Sequence, residues 1–326
     1  MVAAVRSAGA DPAKLPVMRA AVLSEYGVPA AGDFQQPAAA PGQAVVEVLA
    51  AGLNPVDVTT AAGTFYGGRP RLPCVAGREA VALLDGRRVY FDAPIAPFGS
   101  MAERSLIDPA SALAVRDDVA DGVAVALGIA GLVAWLALTW RAELQPGEHV
   151  LVLGASGIVG QVALQAARVL GAGRVVAAAR SRDGLALAIE RGADAAVPLD
   201  EADLAPALAA AGEGRIDVVV DPLFGEPLVA ALHAASVGAR VVHLGASAGS
   251  EATIPSPLLR GKLLTLMGHS TFAAPPAVKG AAYESLLAAA AAGEIVVDVL
   301  EFGLDRVEDA WRAQREGTRA KIVIVP

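Results

Sequence analysis

The chain has 326 residues, of which 55% are hydrophobic and 18% charged, and its formal net charge is -8. This balance is typical of a globular protein and excludes a largely disordered chain. The acidic charge argues against a nucleic-acid partner, because binding to phosphates needs a basic face. The single cysteine, Cys74, excludes a disulfide framework and a cysteine-rich zinc site. At roughly 150 residues per domain, the length predicts two domains.

The N-terminal segment MVAAVRSAGADPAKLPV has no apolar run of the length found in a secretory signal. We expect residues 1–17 to be a disordered extension and the first strand to begin at Met18, in MRAAVLSEYG. Together with the single cysteine, the lack of a signal predicts a cytoplasmic protein.

One segment, VAVALGIAGLVAWLALTW at residues 123–140, raises the question of a membrane span. It just reaches the ~18 apolar residues that a spanning helix needs. However, it is alanine-rich, contains Gly128 and Gly131, and has no basic cluster on one flank. These features favour a helix buried between two domains, and no membrane partner is predicted.

The predicted elements change in character near residue 122. Before it, short β-like runs such as AVVEVLAAG, LNPVDV and RRVYF alternate with proline and glycine. After it, apolar strands alternate with helices, which predicts an α/β fold with a parallel sheet buried on both faces. The strands of this sheet are expected at 149–154, 174–179, 216–221, 240–245 and 263–269. Helices are expected at 158–170, 185–191 and 227–236, and two more are expected to begin at 203 and after 282. Further strands are expected in IVVDVLEFGL and KIVIVP.

The most specific motif is the glycine loop GASGIVG, which lies between the strand at 149–154 and the helix at 158–170. This is the context of a dinucleotide-binding turn, in which the glycines allow a tight turn, a close approach to a pyrophosphate and close helix–sheet packing. The phosphates would bind the free N–H groups of the helix N-terminus. The alternative is a tight strand–helix turn in another kind of α/β protein. The residues expected to bind cofactor here are Gly154, Ser156, Gly157, Ile158, Val159 and Gly160.

The residues after the second strand of this unit indicate which nicotinamide cofactor is bound. An NAD site has an acidic residue there, about 20 residues beyond the loop, to bind the ribose 2′-hydroxyl. This chain has Ala179 at that point, followed by Arg180, Ser181 and Arg182. Guanidinium groups bind a 2′-phosphate, so we expect NADP(H). The alternative is that the arginines only solvate a loop, with Asp183 paired to one of them.

The sequence GASAG at 245–249 matches the G-x-S-x-G turn of serine hydrolases, which requires a helix directly after it. Here the polar, proline-containing SEATIPSPLL follows, and no acid–histidine pair is evident in the required order. We therefore interpret Leu244, Gly245 and Ala246 as a loop that faces the nicotinamide half of the cofactor.

Two further residues have open interpretations. His269 ends a predicted strand and either orients the nicotinamide carboxamide, shuttles a proton, or is a structural histidine with satisfied hydrogen bonds. Lys321 either approaches a phosphate or substrate, or is solvated. The remaining histidines are interpreted as structural, namely His149, His233 and His243.

Several segments together resemble the zinc-independent quinone oxidoreductase (zeta-crystallin-like) branch of the medium-chain dehydrogenases/reductases. They include AAGLNPVDVTTAAG, GREA, FGSMAERSLI, GLVAWLAL, LQPGEHVLVLGASGIVGQVALQAARVLGA and KIVIVP. The resemblance implies a GroES-like β domain and a Rossmann domain, with the chain returning to the first domain at its end. We expect the GroES-like catalytic domain at 18–122 and 272–326, and the Rossmann NADP-binding domain at 123–271.

The resemblance also bears on zinc. Zinc-dependent members of the family bind catalytic zinc through a cysteine in A-G-x-C and a histidine in G-H-E, and those positions hold Asn54 and Arg78 here. A carboxamide and a guanidinium cannot replace a thiolate and an imidazole, so no metal site is predicted. Hydride transfer would then depend on positioning and hydrogen bonding, which suits an acceptor that is already electrophilic.

The family's N-P-x-D motif implies that Asn54 reaches the nicotinamide and ribose end of the cofactor; alternatively, it caps the turn before the following proline. Thr59 stands where some relatives carry a tyrosine proton donor, and Tyr66 could approach the cleft instead. Asn54, Thr59 and Tyr66 are the weak catalytic candidates. Val133 replaces a threonine that often binds cofactor in the family. No catalytic acid is assigned.

The sequence therefore predicts a zinc-free, NADPH-dependent reductase that passes a hydride to a small-molecule quinone or other conjugated carbonyl compound. Two alternatives stay open: an enoyl or alkenal reductase with the same machinery, and a non-catalytic NADPH-binding sensor or structural protein. The apolar strand LLTLM at the expected edge of the sheet predicts a homodimer, because an exposed edge must be covered.

Overall fold

The computed structural model describes residues 16–326. Most of the expected N-terminal extension, residues 1–15, lies outside this range. Pro16 and Val17 do not belong to an extension, because the first strand begins at Val17 and the Pro16 carbonyl accepts a hydrogen bond from the Gln36 amide at 2.9 Å. Antiparallel pairing with the second strand continues one residue beyond Met18, which the sequence pattern did not indicate.

The N-terminal part is built mainly of antiparallel strands. Its elements are β1 (Val17–Leu23), β2 (Ala30–Gln35), β3 (Ala44–Leu53), α1 (Pro55–Ala61), β4 (Cys74–Val75), β5 (Glu79–Leu84), β6 (Arg87–Phe91), β7 (Arg104–Ile107) and β8 (Leu113–Ala114). β1 lies between β2 and β4 in a small sheet. β3 pairs with β5 and β7 in a larger sheet that is completed by the end of the chain.

α1 corrects the interpretation of LNPVDV as a β-like run. The Asp57 carboxylate accepts a hydrogen bond from the Asn54 backbone N–H at 2.8 Å, as in a capping box. Pro55 occupies the first helical position, where its missing N–H and restricted φ are compatible with a helix. These local signals end β3 and start the helix.

One long apolar helix, α2 (Asp121–Arg141), links the two parts of the molecule. It contains two wider π-type turns, at Leu127–Gly131 and Ala137–Arg141, and it kinks at Gly128, where ψ is -116°. In the described part of the chain it is the one helix long and apolar enough to cross a membrane, and 78% of its apolar window is buried inside the protein. This burial agrees with the predicted helix between two domains.

The central part forms a six-stranded parallel sheet with helices between the strands. Its elements are β9 (His149–Leu153), α3 (Ile158–Val169), β10 (Arg174–Ala179), α4 (Arg182–Glu190), β11 (Ala195–Pro198), α5 (Leu204–Ala211), β12 (Val218–Asp221), α6 (Gly225–Ala234), β13 (Arg240–His243), α7 (Ser256–Gly261) and β14 (Thr265–Gly268). The strand order is β11-β10-β9-β12-β13-β14. This is the doubly wound Rossmann order, so the predicted α/β class is confirmed.

The C-terminal part returns to the first sheet. It comprises the short turn Thr271–Ala273, α8 (Pro276–Ala291), β15 (Val299–Gly303), the turn Leu304–Arg306, α9 (Val307–Glu316) and β16 (Lys321–Val325). β16 pairs antiparallel with β3, which completes a seven-stranded sheet of order β15-β16-β3-β5-β6-β8 with β7 beside β3. α8 packs on α2. The domain boundaries expected at 122 and 272 stay a prediction.

Two predicted bounds in this part were wrong. α8 begins at Pro276, before the stretch expected after Ala282. The strand expected from Ile295 starts only at Val299, because the side chain of Gln165 replaces a strand partner at Val296. The Gln165 amide donates to the Val296 carbonyl at 2.9 Å, and the Val296 N–H donates back to the Gln165 side chain at 2.8 Å.

Candidate functional site

The glycine loop has the geometry that its sequence predicts. Gly154 has a φ of +62°, in the left-handed region that favours glycine, and the loop then enters α3 at Ile158. A Cβ on Gly160 would overlap the Gly154 carbonyl oxygen, so only glycine permits this approach of helix and strand. A Cβ on Gly157 would meet the same oxygen at an ordinary 3.7 Å. The loop therefore forms a cradle whose N–H groups at the start of α3 suit a pyrophosphate.

A second loop, residues 180–182, lies beside this cradle. The Ser181 hydroxyl accepts a hydrogen bond from the Gly184 N–H at 3.1 Å and so caps α4. Gly184 is so close to Ser156 that a Cβ on it would overlap the Ser156 side chain. The contact brings the end of β10 next to the glycine loop. A dinucleotide needs this arrangement, because its pyrophosphate binds at the first loop and its adenosine ribose at the end of the second strand.

The two arginines of this loop differ in their partners. Arg182 pairs with Asp200 at 3.1 Å, whereas Arg180 is exposed and has no recorded partner among the described residues. The alternative that Asp183 pairs with one of them was wrong, since the Asp183 carboxylate lies 3.7 Å from Arg319. Arg180 therefore has no competing carboxylate among the described residues, and both arginines stay predicted ligands of a 2′-phosphate.

The loops after β12 and β13 are shaped by one buried carboxylate. Asp221 accepts hydrogen bonds from the N–H groups of Leu223 at 3.0 Å and Phe224 at 2.9 Å. Its other oxygen lies 3.0 Å from Nδ1 of His243, so this histidine does have an acidic partner. Phe224 has a φ of +58°, an uncommon conformation that the two hydrogen bonds hold in place.

The serine-hydrolase motif does not form a nucleophile elbow. The Ser247 hydroxyl donates to the Pro222 carbonyl at 3.2 Å, and the next helix, α7, begins only at Ser256. The residues before it, Leu244, Gly245 and Ala246, follow β13 at the carboxyl end of the parallel sheet, as expected of a cofactor-facing loop.

A buried polar cluster lies in the other sheet, around Glu79. One Glu79 oxygen contacts Lys321 Nζ at 2.6 Å and accepts from the Asn54 amide at 2.8 Å. The other accepts from the Tyr90 hydroxyl at 2.8 Å and from the Ile129 N–H at 2.6 Å. Four donors therefore satisfy this carboxylate, which is 0% exposed. The cluster ties β5 to the end of β3, to β6, to β16 and to the π-type turn of α2.

One of the two open interpretations of Lys321, the solvated lysine, was wrong, whereas its approach to a phosphate or substrate stays a prediction. Its side chain is 1% exposed, so it is not solvated, and its Nζ also lies 2.6 Å from the Asn54 carboxamide oxygen. The pairing of β16 with β3 places it there. Asn54 does more than cap a turn, because both ends of its carboxamide are bound within the cluster.

Asp57 is the second carboxylate of this region. It is buried and accepts from the Asn54 backbone and side chain. Burial, and then the negative charge of Glu79, raise the pKa of Asp57 to about 6, against the opposing effect of Lys321. This group therefore changes its proton occupancy at a mildly acidic pH.

Thr59 and Tyr66, two of the weak catalytic candidates, are both exposed. The Thr59 hydroxyl donates to the Val56 carbonyl of its own helix at 3.0 Å. Tyr66 is 86% exposed, and its ring contacts Phe65 at a centroid distance of 4.5 Å. Exposure leaves Tyr66 without the desolvated surroundings that a proton donor at a hydride-transfer site needs.

His269 does not have the satisfied hydrogen bonds that one of its open interpretations requires. Both of its ring nitrogens are buried, and the Val133 carbonyl, which acts on one of them, lies outside normal hydrogen-bond geometry. Burial and the charge of Arg141 lower the pKa of His269 to about 4, although the Val133 carbonyl opposes the shift. The ring lies edge-on to Trp140 at 5.8 Å. His269 is thus neutral at neutral pH, and one of its ring nitrogens lacks a partner among the described residues at the carboxyl end of β14.

The residues at the family's zinc positions do not fit a zinc ion. The Asn54 oxygen is bound to Lys321, and Arg78 is a cation whose guanidinium carbon lies 4.3 Å from the centroid of the Phe272 ring. Neither side chain supplies an anionic or imidazole ligand. Within residues 16–326, no group of three or more histidines, cysteines and carboxylates is arranged to hold a metal.

Sequence reasoning missed three residues that organise the site. Glu79 and Asp221 were not assigned, and Gln161 was treated only as part of a helix. Gln161 is fully buried, and its amide donates to the Ser156 carbonyl at 2.9 Å and to the Arg319 carbonyl at 3.2 Å. All three share one detectable signal, since each is a polar side chain inside an otherwise apolar, buried element.

Comparisons with known proteins agree with this geometry. Residues 159–289 match the family model described as zinc-binding dehydrogenase, a range that does not include Asn54 or Arg78. The chain is 31% identical over 240 residues to the quinone oxidoreductase-like protein 2 of Mus musculus, covering 70% of this chain and 67% of that protein. It is 30% identical over 245 residues to the quinone oxidoreductase of Lama guanicoe, covering 70% and 73%.

A solved structure extends the likeness to nearly the whole chain. The quinone oxidoreductase from Thermus thermophilus, described with its NADPH complex, is 32% identical and has a TM-score of 0.81. The alignment covers 95% of this chain and 100% of that one. Together with the Rossmann sheet, the glycine cradle and the return of β16 to the sheet of β3, this similarity makes the chain an oxidoreductase that belongs to the quinone oxidoreductase family of the medium-chain dehydrogenases/reductases.

Proposed function

We propose that this protein transfers a hydride from NADPH to a quinone or another conjugated carbonyl compound, and that it does so without zinc. NADP(H) is the cofactor, as in the complex of the Thermus thermophilus relative. The observation that carries the proposal is the cradle at Gly154 and Gly160 with the unpaired Arg180 beside it. Such a pair of features suits the pyrophosphate and the 2′-phosphate of one dinucleotide.

When bound, the cofactor supplies a hydride, which carries two electrons to the acceptor. One proton must reach the acceptor as well, so that the products are NADP⁺ and the reduced acceptor. We assign this proton to water. An electrophilic acceptor needs no Lewis acid, which agrees with the unsuitability of Asn54 and Arg78 as zinc ligands.

The residues of this chain contribute mainly by positioning. The Glu79 cluster holds the Asn54 carboxamide rigidly at the end of β3. Asp221 holds the loop that packs beneath Gly154, where the Pro222 side chain comes within 3.1 Å of a Cβ placed on that glycine. Both devices reduce the reorganisation that cofactor binding would otherwise require.

The proposal is tested by following NADPH oxidation with a panel of quinones, enones and alkenals. We expect the quinones and activated enones to be reduced, whereas simple alcohols with NADP⁺ react poorly. Equilibrium titration should show tighter binding of NADPH than of NADH. Arg180→Ala should weaken NADPH binding at least about tenfold, the effect of about 1.4 kcal/mol, and leave NADH unchanged.

Arg260→Ala is the matched control for this experiment, because Arg260 is another exposed arginine without a recorded partner in the described chain. Its affinity for NADPH should equal that of the wild type. Equal binding of NADPH and NADH by the wild type would remove the phosphate assignment. Binding of NADPH without turnover of any acceptor would favour a sensor or structural role instead.

A homodimer and a cytoplasmic location are further parts of the proposal. β14 is an edge strand of the parallel sheet, and its residue Leu266 is 38% exposed. A second copy pairing along this edge would cover it. Leu266→Lys should then shift the sedimentation coefficient from dimer to monomer. Cys74 is a free, buried thiol, which is compatible with a reducing compartment.

A further inference from the structure

The arginines of the described chain fall into two groups. Most form an ion pair or a hydrogen bond, and those without either are exposed, with two exceptions. Arg78 and Arg141 are half-buried, and the Nε of each is buried without a hydrogen-bond partner. A half-buried guanidinium without a partner is unfavourable. It is also unexpected in a chain of net charge -8, in which carboxylates outnumber cationic side chains.

Arg78 occupies a place between the two sheets. It immediately precedes β5 of the antiparallel sheet, and its guanidinium stacks on Phe272, which follows the last strand of the parallel sheet. The Phe272 ring is itself 40% exposed. The pair therefore combines a cation with an aromatic face at the junction of the two sheets.

The neighbouring carboxylate cannot neutralise this cation. Both Glu79 oxygens are already engaged by four donors, among them the ammonium of Lys321. The charges of Glu79 and Lys321 therefore neutralise each other, and the positive charge of Arg78 has no carboxylate partner among the described residues. Phe272 attracts it only through its ring, which contributes less than a carboxylate would.

The cofactor's phosphates do not account for this charge. The loop at Arg180 follows β10, whereas Phe272 follows β14, four strands further along the same sheet. At the usual strand spacing these positions are about 19 Å apart. Phe272, and the guanidinium of Arg78 that stacks on it, therefore lie toward the β14 edge of the sheet, away from the loop at Arg180 and three strands from the strand that precedes the glycine cradle.

We infer that Arg78 is a specificity-determining residue that binds a carboxylate on the acceptor, whose conjugated carbon skeleton lies along Phe272. The inference rests on the proposed hydride transfer. The favoured substrate class is an aromatic or extended enone or quinone that carries a carboxylate away from the reacting carbons. The hydride adds to the conjugated carbon and water supplies the proton, while the carboxylate is unchanged and pairs with the guanidinium.

The test compares two acceptors that differ only in charge: 4-(3-oxobut-1-enyl)benzoate and its methyl ester. We expect the wild type to have a kcat/KM at least about thirtyfold higher for the acid, the size of one strong charge-assisted hydrogen bond. Arg78→Met should abolish this preference by lowering kcat/KM for the acid alone. Arg87→Met, a change at an exposed arginine of β6, should leave both values unchanged.

Two results would overturn the inference. An equal loss for acid and ester in Arg78→Met would mean that the guanidinium acts on the reacting carbonyl shared by both compounds. An equal kcat/KM for acid and ester in the wild type would mean that no carboxylate is recognised.

Binding measurements separate this inference from the proposed function. If neither compound is reduced, calorimetric titration of both into the NADPH-loaded protein still decides the matter. Tighter binding of the acid, lost in Arg78→Met, supports the anion subsite even though hydride transfer has failed. Equal binding of acid and ester overturns the subsite, whatever the enzyme does with other acceptors.

Discussion

Lys321 Nζ lies 2.6 Å from Glu79 Oε1, although 242 residues separate them in the chain. Both side chains are buried, and the Glu79 carboxylate also accepts a hydrogen bond from the Asn54 side-chain amide. A buried ion pair adds little net stability by itself, but removing one partner leaves an uncompensated charge. The integrity of the Asn54 environment therefore depends on a residue of the last strand.

Lys321→Met should lower the free energy of unfolding by about 3 to 5 kcal/mol, because Glu79 then remains charged and buried without its cation. Denaturant titration measures this loss. Adding Glu79→Gln to the same variant should restore part of it. Arg19→Met, which breaks an exposed ion pair with Asp33, should change stability little. A loss no greater than that of Arg19→Met would contradict the role of the pair.

Gly128→Ala should destabilise the protein, because the new Cβ would overlap Glu79 Oε2 and the ring of Tyr90. We expect a loss of about 1 to 3 kcal/mol, typical of overpacking in a core. Gly131→Ala in the same helix is the matched control. Its Cβ meets only side-chain atoms of Leu127 and Leu286, at 3.3 Å or more, and the better helix propensity of alanine should offset that contact. Equal thermal midpoints for the two variants would refute the explanation.

Gly157→Ala and Gly160→Ala should separate cofactor binding from folding. The Cβ of the first has room in the protein and should leave the thermal midpoint near that of the wild type. It would nevertheless approach the pyrophosphate, so Kd for NADPH should rise at least about tenfold. The second variant should lower the thermal midpoint itself, because its Cβ overlaps backbone atoms of Gly154 and Ala155. Unaltered NADPH binding by Gly157→Ala would mean that the cradle does not hold phosphate.

Arg141→Met should raise the pKa of His269 from about 4 toward its ordinary value, because it removes a positive charge that disfavours protonation. NMR titration of the imidazole measures the shift. The folded state resists protonation of His269, so stability should fall as pH drops from about 6.5 to about 4, and less so in the variant. Arg312→Met, at an exposed arginine of α9, serves as the control. A histidine pKa that does not move would show that burial alone is responsible.

The parts of the site that could be predicted from sequence are those set by local contacts. The turn at Gly154 and the packing of Gly160 involve residues six positions apart, and the strand–loop–helix order identifies them. Long Val- and Ala-rich runs likewise indicate the buried parallel strands. The capping residues Asn54 and Asp57 carried an equally local signal for α1, which the β-like composition around them obscured.

The remaining features depend on chain pairing that no local pattern reveals. The burial of Lys321 follows from the pairing of β16 with β3, and the partner of Arg182 comes from a loop 18 residues later. The lack of partners around His269 results from packing between α2 and the end of β14. Sequence alone names these side chains as candidates, but only the fold determines which of them are paired.

The placement of Lys321 on β16 also bears on how the protein is made. A ribosome synthesises the glycine cradle and the whole parallel sheet well before it reaches residue 321. Until then Glu79 lacks its cation, and β3 lacks one of its neighbours. The parallel sheet can thus form on the nascent chain, whereas the antiparallel sheet around Glu79 is completed only after translation has passed β16.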